Sequence, residues 1–136
     1  MAVDRYAVMG YPIAHSRSPV IHLLFARQTG QNMEYDRIEV KPERLEKAVH
    51  QFQREGGKGL NVTVPHKSEV TKLVDHLTER ASTAGAVNTL TFKDEDIFVD
   101  NTDGFGLLRD LVVNLGVTVE GANVLVLGAG GATRGI

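Results

Sequence analysis

Cysteine is absent from the 136 residues, which rules out a disulfide framework and a thiolate metal site; a reducing compartment fits. Charge of one sign is also lacking. The formal net charge is −2, so no basic face argues for nucleic acid. Long hydrophobic runs are missing as well. Asp4 and Arg5 fall within the first few residues, and no apolar stretch follows that could serve a secretory signal or span a membrane. These absences fit a cytoplasmic protein with neither nucleic-acid nor membrane partners. Neither repeats nor low-complexity tracts occur. What remains is an ordinary soluble composition, 42% hydrophobic and 24% charged, on a chain long enough to bury one core.

Strands and helices alternate along it. Tyr6-Ala7-Val8-Met9 reads as a short buried strand stopped by Gly10. A helix is expected near Ser18-Pro19, with Ser18 as the cap and Pro19 at the first position. A second strand covers about 34–40. Leu45, Ala48, Val49 and Phe52 then share one face of a helix ending at Gly56-Gly57. A third strand covers 60–63. Strand–helix–strand–helix–strand predicts an α/β fold with a mainly parallel sheet flanked by helices. Residues 86–92 and 97–99 read as two further strands. The acidic turn joining them, Lys93-Asp94-Glu95-Asp96, is a solvated hairpin tip rather than a metal site. The five histidines show no ligand spacing, His15 and His22 being structural or solvated, so no metal is expected.

Chemistry concentrates at two places. In Asn61-Val62-Thr63-Val64-Pro65-His66-Lys67, Pro65 suits a first helical position, and Val70, Leu73, Val74 and Leu77 follow at helical spacing. Lys67 would then sit near the positive end of a helix dipole, which disfavours its charge by a few tenths to about 1 kcal/mol. Such a place suits a lysine that exchanges a proton. Asp103, in Asn101-Thr102-Asp103-Gly104, opens another helix marked by Leu108, Leu111, Val112 and Leu115. Alone it reads as a helix cap. If the two helix starts face each other, they present an ammonium and a carboxylate at one cleft.

The last segment adds a glycine-rich turn. Asn123-Val124-Leu125-Val126-Leu127 reads as an apolar strand, followed by Gly128-Ala129-Gly130-Gly131-Ala132 at the start of a helix. That arrangement lets backbone N–H groups approach a pyrophosphate. Thr133 replaces the third glycine of the dinucleotide pattern, and a complete unit needs about 30 residues. The sequence is therefore expected to be the front part of a longer protein. A nucleotide hydrolase is excluded, since no Lys-Ser/Thr follows the turn.

Five motifs in this order carry a resemblance. Gly10-Tyr11-Pro12-Ile13-Ala14-His15-Ser16-Arg17-Ser18-Pro19 comes first, then the run from Gly59 to Lys67 and Gly85-Ala86-Val87-Asn88-Thr89. Asn101-Thr102-Asp103-Gly104 and the glycine turn complete the series. Together they resemble shikimate dehydrogenase across the whole chain. The resemblance implies a substrate-binding domain at 1–102, then a linking helix and the first strand and turn of an incomplete NADP-binding Rossmann domain at 103–136. It implies that Ser16 and Ser18 hold the substrate carboxylate, as two hydroxyls beside a helix start can. Asn61, Thr63, Asn88 and Asp103 would contact the ring hydroxyls, Lys67 and Asp103 would be the catalytic pair, and Gly128, Ala129, Gly130, Gly131 and Ala132 would face the cofactor.

The implied activity is reversible NADP-dependent reduction of 3-dehydroshikimate to shikimate, in aromatic amino acid biosynthesis. Lys67 would give the alkoxide its proton, or take it back in the oxidative direction. A quinate/shikimate dehydrogenase shares most of these motifs. For the chain as given, the alternative is a non-catalytic shikimate-binding module without useful turnover. The apolar 124–127 edge could pair with a second copy to give a homodimer.

Overall fold

The computed structural model describes residues 2–74 and 77–136. Strands β1 (Asp4–Gly10), β2 (Met33–Glu39), β3 (Gly57–Val62), β4 (Thr89–Lys93) and β5 (Asp96–Asp100) form one sheet in the order β2-β1-β3-β4-β5. β1 pairs in parallel with both β2 and β3, whereas β3–β4 and β4–β5 are antiparallel. The sheet is thus mixed, with its parallel part carrying the crossovers. Helix α1 (Ser18–Thr29) joins β1 to β2. A 3-10 turn at Pro42–Arg44 and helix α2 (Leu45–Arg54) lead back to β3.

Period-two alternation sorts the strand side chains between two faces. Ala7, Met9, Leu60, Val62, Leu90, Phe92 and Val99 pack against Leu45, Val49 and Phe52 of α2, with Val70 and Ala81. Val8 and Tyr35 face the other way, joined by Ile13, Tyr6 and Met33. The chain leaves β1 for one neighbour and later returns to the other, so the carboxyl ends of β1 and β3 lie where the winding reverses. In open α/β sheets that reversal is where ligand crevices form.

Several expectations change. Ser18 is the first residue of α1 and not its cap; the Ser16 hydroxyl, two residues earlier, accepts the Ser18 N–H at 3.3 Å. Pro19 does lie in the first turn. No α-helix starts at Pro65. Residues 64–69 form turns, followed by a 3-10 turn at Val70–Lys72. The Lys67 carbonyl accepts the Val87 N–H at 2.7 Å, which takes the acceptor a continuing helix needs. Val70 is still buried, and Leu73 and Val74 still pack on the core, so the spacing marked a buried face rather than a helix. Asp75 and His76, within that expected helix, lie outside the described residues.

Short helix α3 (Glu79–Ala84) is capped by Thr78, whose Oγ1 accepts the Ala81 N–H. Residues 86–88 precede β4 rather than belonging to it. Helix α4 (Asp103–Arg109) opens at Asp103 and continues as a π-helical turn, Asp110–Asn114. Residues 123–127 pair with no strand among the described residues. Helix α5 (Gly131–Arg134) follows the glycine turn. No helix among the described residues is long and apolar enough to cross a membrane.

Candidate active site

At the carboxyl end of β1 the chain turns sharply at Gly10. A Cβ there would stand 2.7 Å from Thr63 Cγ2 and 2.8 Å from Ile13 Cδ1, so glycine lets the two loops close together. Thr63 holds this junction through its backbone, donating to Met9 O at 2.9 Å and accepting from His66 N at 2.8 Å. The adjacent loop is tied back by Arg37, whose Nε donates to Ser16 O at 2.8 Å. Ser16 and Ser18 then face each other, Ser16 Oγ donating to Ser18 Oγ at 3.2 Å.

Lys67 and Asp103, far apart in sequence, meet at 2.5 Å between Nζ and Oδ2. Both keep some exposure, 22% and 30%, so a ligand can reach them. Their approach is built by the backbone: Lys67 is anchored through its carbonyl to Val87 N, and Asp103 N donates to Asn101 Oδ1 at 3.1 Å. Asn101 is buried and donates in turn to Ala86 O at 3.1 Å. The 86–88 segment therefore fixes both members of the pair. Asp103 does not cap its own helix. Its second oxygen, Oδ1, accepts from Asn88 Nδ2 at 2.7 Å.

Asn88 is buried and fully engaged. Its Nδ2 also donates to Thr102 Oγ1 at 3.0 Å, and its Oδ1 accepts from Thr102 N and Thr89 Oγ1. Its carbonyl accepts from Asn61 Nδ2 at 3.2 Å. The chain Lys67–Asp103–Asn88–Asn61 is thus one hydrogen-bonded series. Tyr35 extends it, donating to Asn61 Oδ1 at 2.6 Å. Burial is the main influence on the Tyr35 phenol and raises its pKa strongly, opposed by the Ser18 hydroxyl. It stays a neutral donor.

His66, beside Lys67, is fully buried. Its Nε2 donates to Val40 O at 2.8 Å, while Nδ1 has no hydrogen-bond partner among the described residues. Burial lowers its pKa, against the smaller raising influence of the Val40 carbonyl. At the far edge Asp100 accepts from Thr78 Oγ1 at 2.7 Å and pairs with Arg80. Burial, the largest single influence, raises the Asp100 pKa. The hydrogen bonds from Thr78, Arg80 and Asn101 and the Arg80 charge together outweigh it and hold the group below its ordinary value.

A cleft of about 440 Å³ opens beside this series, lined by Asn61, Thr102, Thr89, Tyr35 and His22 among others. Lys67, Asp103 and the two serines do not line it. The structure therefore brings Lys67, Asp103, Asn88 and Asn61 into direct contact, and reaches the serines only through Tyr35 and His22. His22 Nδ1 donates to Ser18 O at 2.9 Å, and its ring stacks on Tyr35 at 4.1 Å. Tyr35 lies outside the sequence motifs, whereas Thr102, Thr89 and Asn101 lie within them without an assigned role. Tyr35 carried one signal, a polar-tipped aromatic within an amphipathic strand. No group of three or more His, Cys, Asp or Glu among the described residues could hold a metal ion.

At the other end Gly128 has φ +125°, a conformation that disfavours any side chain. Gly130 is extended and precedes α5. Ala129 is exposed, and so is Ala132 within the four-residue helix. With 123–127 unpaired, these residues form one open turn and not an enclosed site.

Residues 8–90 match the family described as the shikimate dehydrogenase substrate binding domain. The chain is 56% identical over its whole length to a shikimate dehydrogenase (NADP(+)) of Aromatoleum aromaticum, covering 49% of that protein. Among solved structures it superposes with TM-score 0.92 on an Ael1 enzyme from Pseudomonas putida, at 51% identity, over 97% of this chain and 49% of that one. It also superposes with TM-score 0.92 on shikimate 5-dehydrogenase from Thermus thermophilus in complex with shikimate, at 34% identity, over 98% of this chain and 51% of that one. The chain spans about half the length of the curated relatives it matches. Fold and sequence agree: the chain belongs to the shikimate dehydrogenase substrate-binding-domain family.

Proposed function

We propose that this chain is the substrate-binding part of an NADP-dependent shikimate dehydrogenase, which reversibly reduces 3-dehydroshikimate to shikimate. The observation that carries the reading is the Lys67–Asp103 contact, with Asn88 on the second Asp103 oxygen. Lys67 gives its proton to the oxygen that develops charge as the ring carbonyl is reduced. Asp103 holds the ammonium in place and offers an acceptor to the neighbouring hydroxyl. Asn61 and Thr63 give the ring hydroxyls fixed donors and acceptors, Asn88 meets them by exchanging one of its present bonds, and Ser16 and Ser18 take the carboxylate.

When bound, NADPH supplies the hydride. Gly128, Ala129, Gly130, Gly131 and Ala132 form the turn that approaches it, in a Rossmann unit completed by residues beyond this chain. Residues 1–102 then make the substrate domain, and 103–136 the linking helix and the start of the cofactor domain. The enzyme works in the cytoplasm as part of aromatic amino acid biosynthesis, without nucleic-acid or membrane partners, and the apolar 124–127 segment is a route to a homodimer. Alone, this chain binds shikimate without turnover.

The test is Lys67→Ala in the full-length protein. Loss of one general acid lowers kcat about 10²- to 10⁴-fold and leaves KM for shikimate nearly unchanged. Equal losses in binding and turnover would contradict a proton-transfer role for Lys67. Rates on quinate measured beside those on shikimate separate the two dehydrogenase specificities.

A further inference from the structure

The two ends of the site are not independent, and the residue between them is Tyr35. The orientation of the Asn61 amide is fixed by chemistry: its nitrogen faces the Asn88 carbonyl at 3.2 Å, and a carbonyl can only accept. Oδ1 therefore faces Tyr35, whose hydroxyl must donate across the 2.6 Å separation. The Tyr35 ring is held in turn. It is 5% exposed and stacks on His22 with the planes 14° apart, while His22 bonds to the Ser18 carbonyl in the first turn of α1. Tyr35 also lines the cleft beside Asn61 and Thr102.

We propose that Tyr35 is a positioning residue that fixes the Asn61 amide and so sets recognition of the substrate's ring hydroxyls. This rests on the reading of the site as a shikimate site. Tyr35 occupies one lone pair of Oδ1, and Asn88 takes one Nδ2 hydrogen. The other Nδ2 hydrogen makes only a long contact, 3.4 Å to Thr89 Oγ1. Asn61 thus keeps one weakly engaged donor and one lone pair in fixed directions. A phenylalanine at position 35 keeps the stack on His22 but leaves Oδ1 without its donor. The amide is then free to swing, and a half-buried acceptor loses its fixed donor.

The test is Tyr35→Phe in the full-length enzyme, with shikimate and, as competitive inhibitor, cyclohex-1-ene-1-carboxylate, which keeps the carboxylate and lacks the ring hydroxyls. KM for shikimate is expected to rise about tenfold, the scale of one lost hydrogen bond with its partner left unpaired. The expected kcat stays within about twofold, and Ki for the carboxylate analogue does not move. Equal weakening of both compounds, or of neither, overturns the proposal, because a merely structural loss does not distinguish them. Added to Asn61→Ala, the Tyr35→Phe change should cost nothing further; an additive loss also overturns it.

Should Tyr35→Phe fail to fold, the wild-type protein labelled with ¹⁵N-asparagine decides. Slow-exchanging Asn61 side-chain protons that shift on adding shikimate support the network, and freely exchanging ones refute it. A wild-type enzyme that neither binds nor turns over shikimate removes the functional reading and this inference together. An active wild type with an unaltered Tyr35→Phe variant removes this inference alone.

Discussion

Val8, Leu60, Val62 and Leu90 are 1–3% exposed, whereas Val124, Leu125, Val126 and Leu127 are 42–88% exposed. The two sets have the same chemistry and opposite fates. The first belongs to residues 4–100, where every strand has a neighbour and α2 covers one face of the sheet. The second belongs to residues 103–136, in which no residue of described burial is buried. Apolar sequence supplies the free energy of a core only when another layer is present to receive it. The site follows the same division: Lys67, Asn88 and Asn61 are fixed by the sheet region, and Asp103 opens the region beyond it.

The largest effect expected from this contrast is on stability. Leu90→Ala, in the middle of the sheet, should cost about 2–5 kcal/mol, whereas Leu125→Ala should stay within about 0.5 kcal/mol. Urea melts of the two variants check this, and similar losses would break the comparison. Deleting residues 117–136 should abolish any concentration-dependent self-association seen by sedimentation. Association that survives the deletion must use a different surface.

A smaller effect is set by pH. His66 is held neutral by burial, so its folded pKa lies below the ordinary 6.5. Its contribution to stability is complete above about pH 6.5 and is lost as pH falls toward the folded value, where the unfolded chain binds the extra proton. The slope is at most about 1.4 kcal/mol per pH unit. Melting temperatures of His66→Phe between pH 7 and 5 should vary less than those of the wild type. The smallest effect is at Asp100. Its folded pKa is depressed, so its stabilisation is present above about pH 4 and lost as pH falls through the folded value. Asp100→Asn should shallow the acid limb of a pH–stability curve below pH 4; an unchanged limb would show that the Arg80 pairing contributes little.

Much of this was legible in the sequence because it is local. The face of α2 was, since Leu45, Val49 and Phe52 repeat at helical spacing and are all buried. The α4 start at Asp103 was legible from the helical spacing of Leu108, Leu111 and Val112 alone, since none of them is buried. The Lys67 segment was not, because a tertiary bond from Val87 to the Lys67 carbonyl sets its backbone, and spacing cannot register a partner 20 residues away. The strand at 123–127 failed for the complementary reason: its apolar run is real, but a ladder is a property of two segments. Motif order singled out Lys67, Asp103, Asn88 and Asn61, which the fold joins in one hydrogen-bonded series, while the residues connecting them to the serines, Tyr35 and His22, belong to no motif. Their roles arise from stacking across α1 and β2.

The most direct test of the account is a calorimetric titration of the 136-residue chain with shikimate, without cofactor and with quinate as comparator. The account predicts saturable shikimate binding that is lost in Ser16→Ala and in Asp103→Ala. A chain that melts cooperatively yet releases no heat of binding at any shikimate concentration would contradict the claim that these residues form the substrate site.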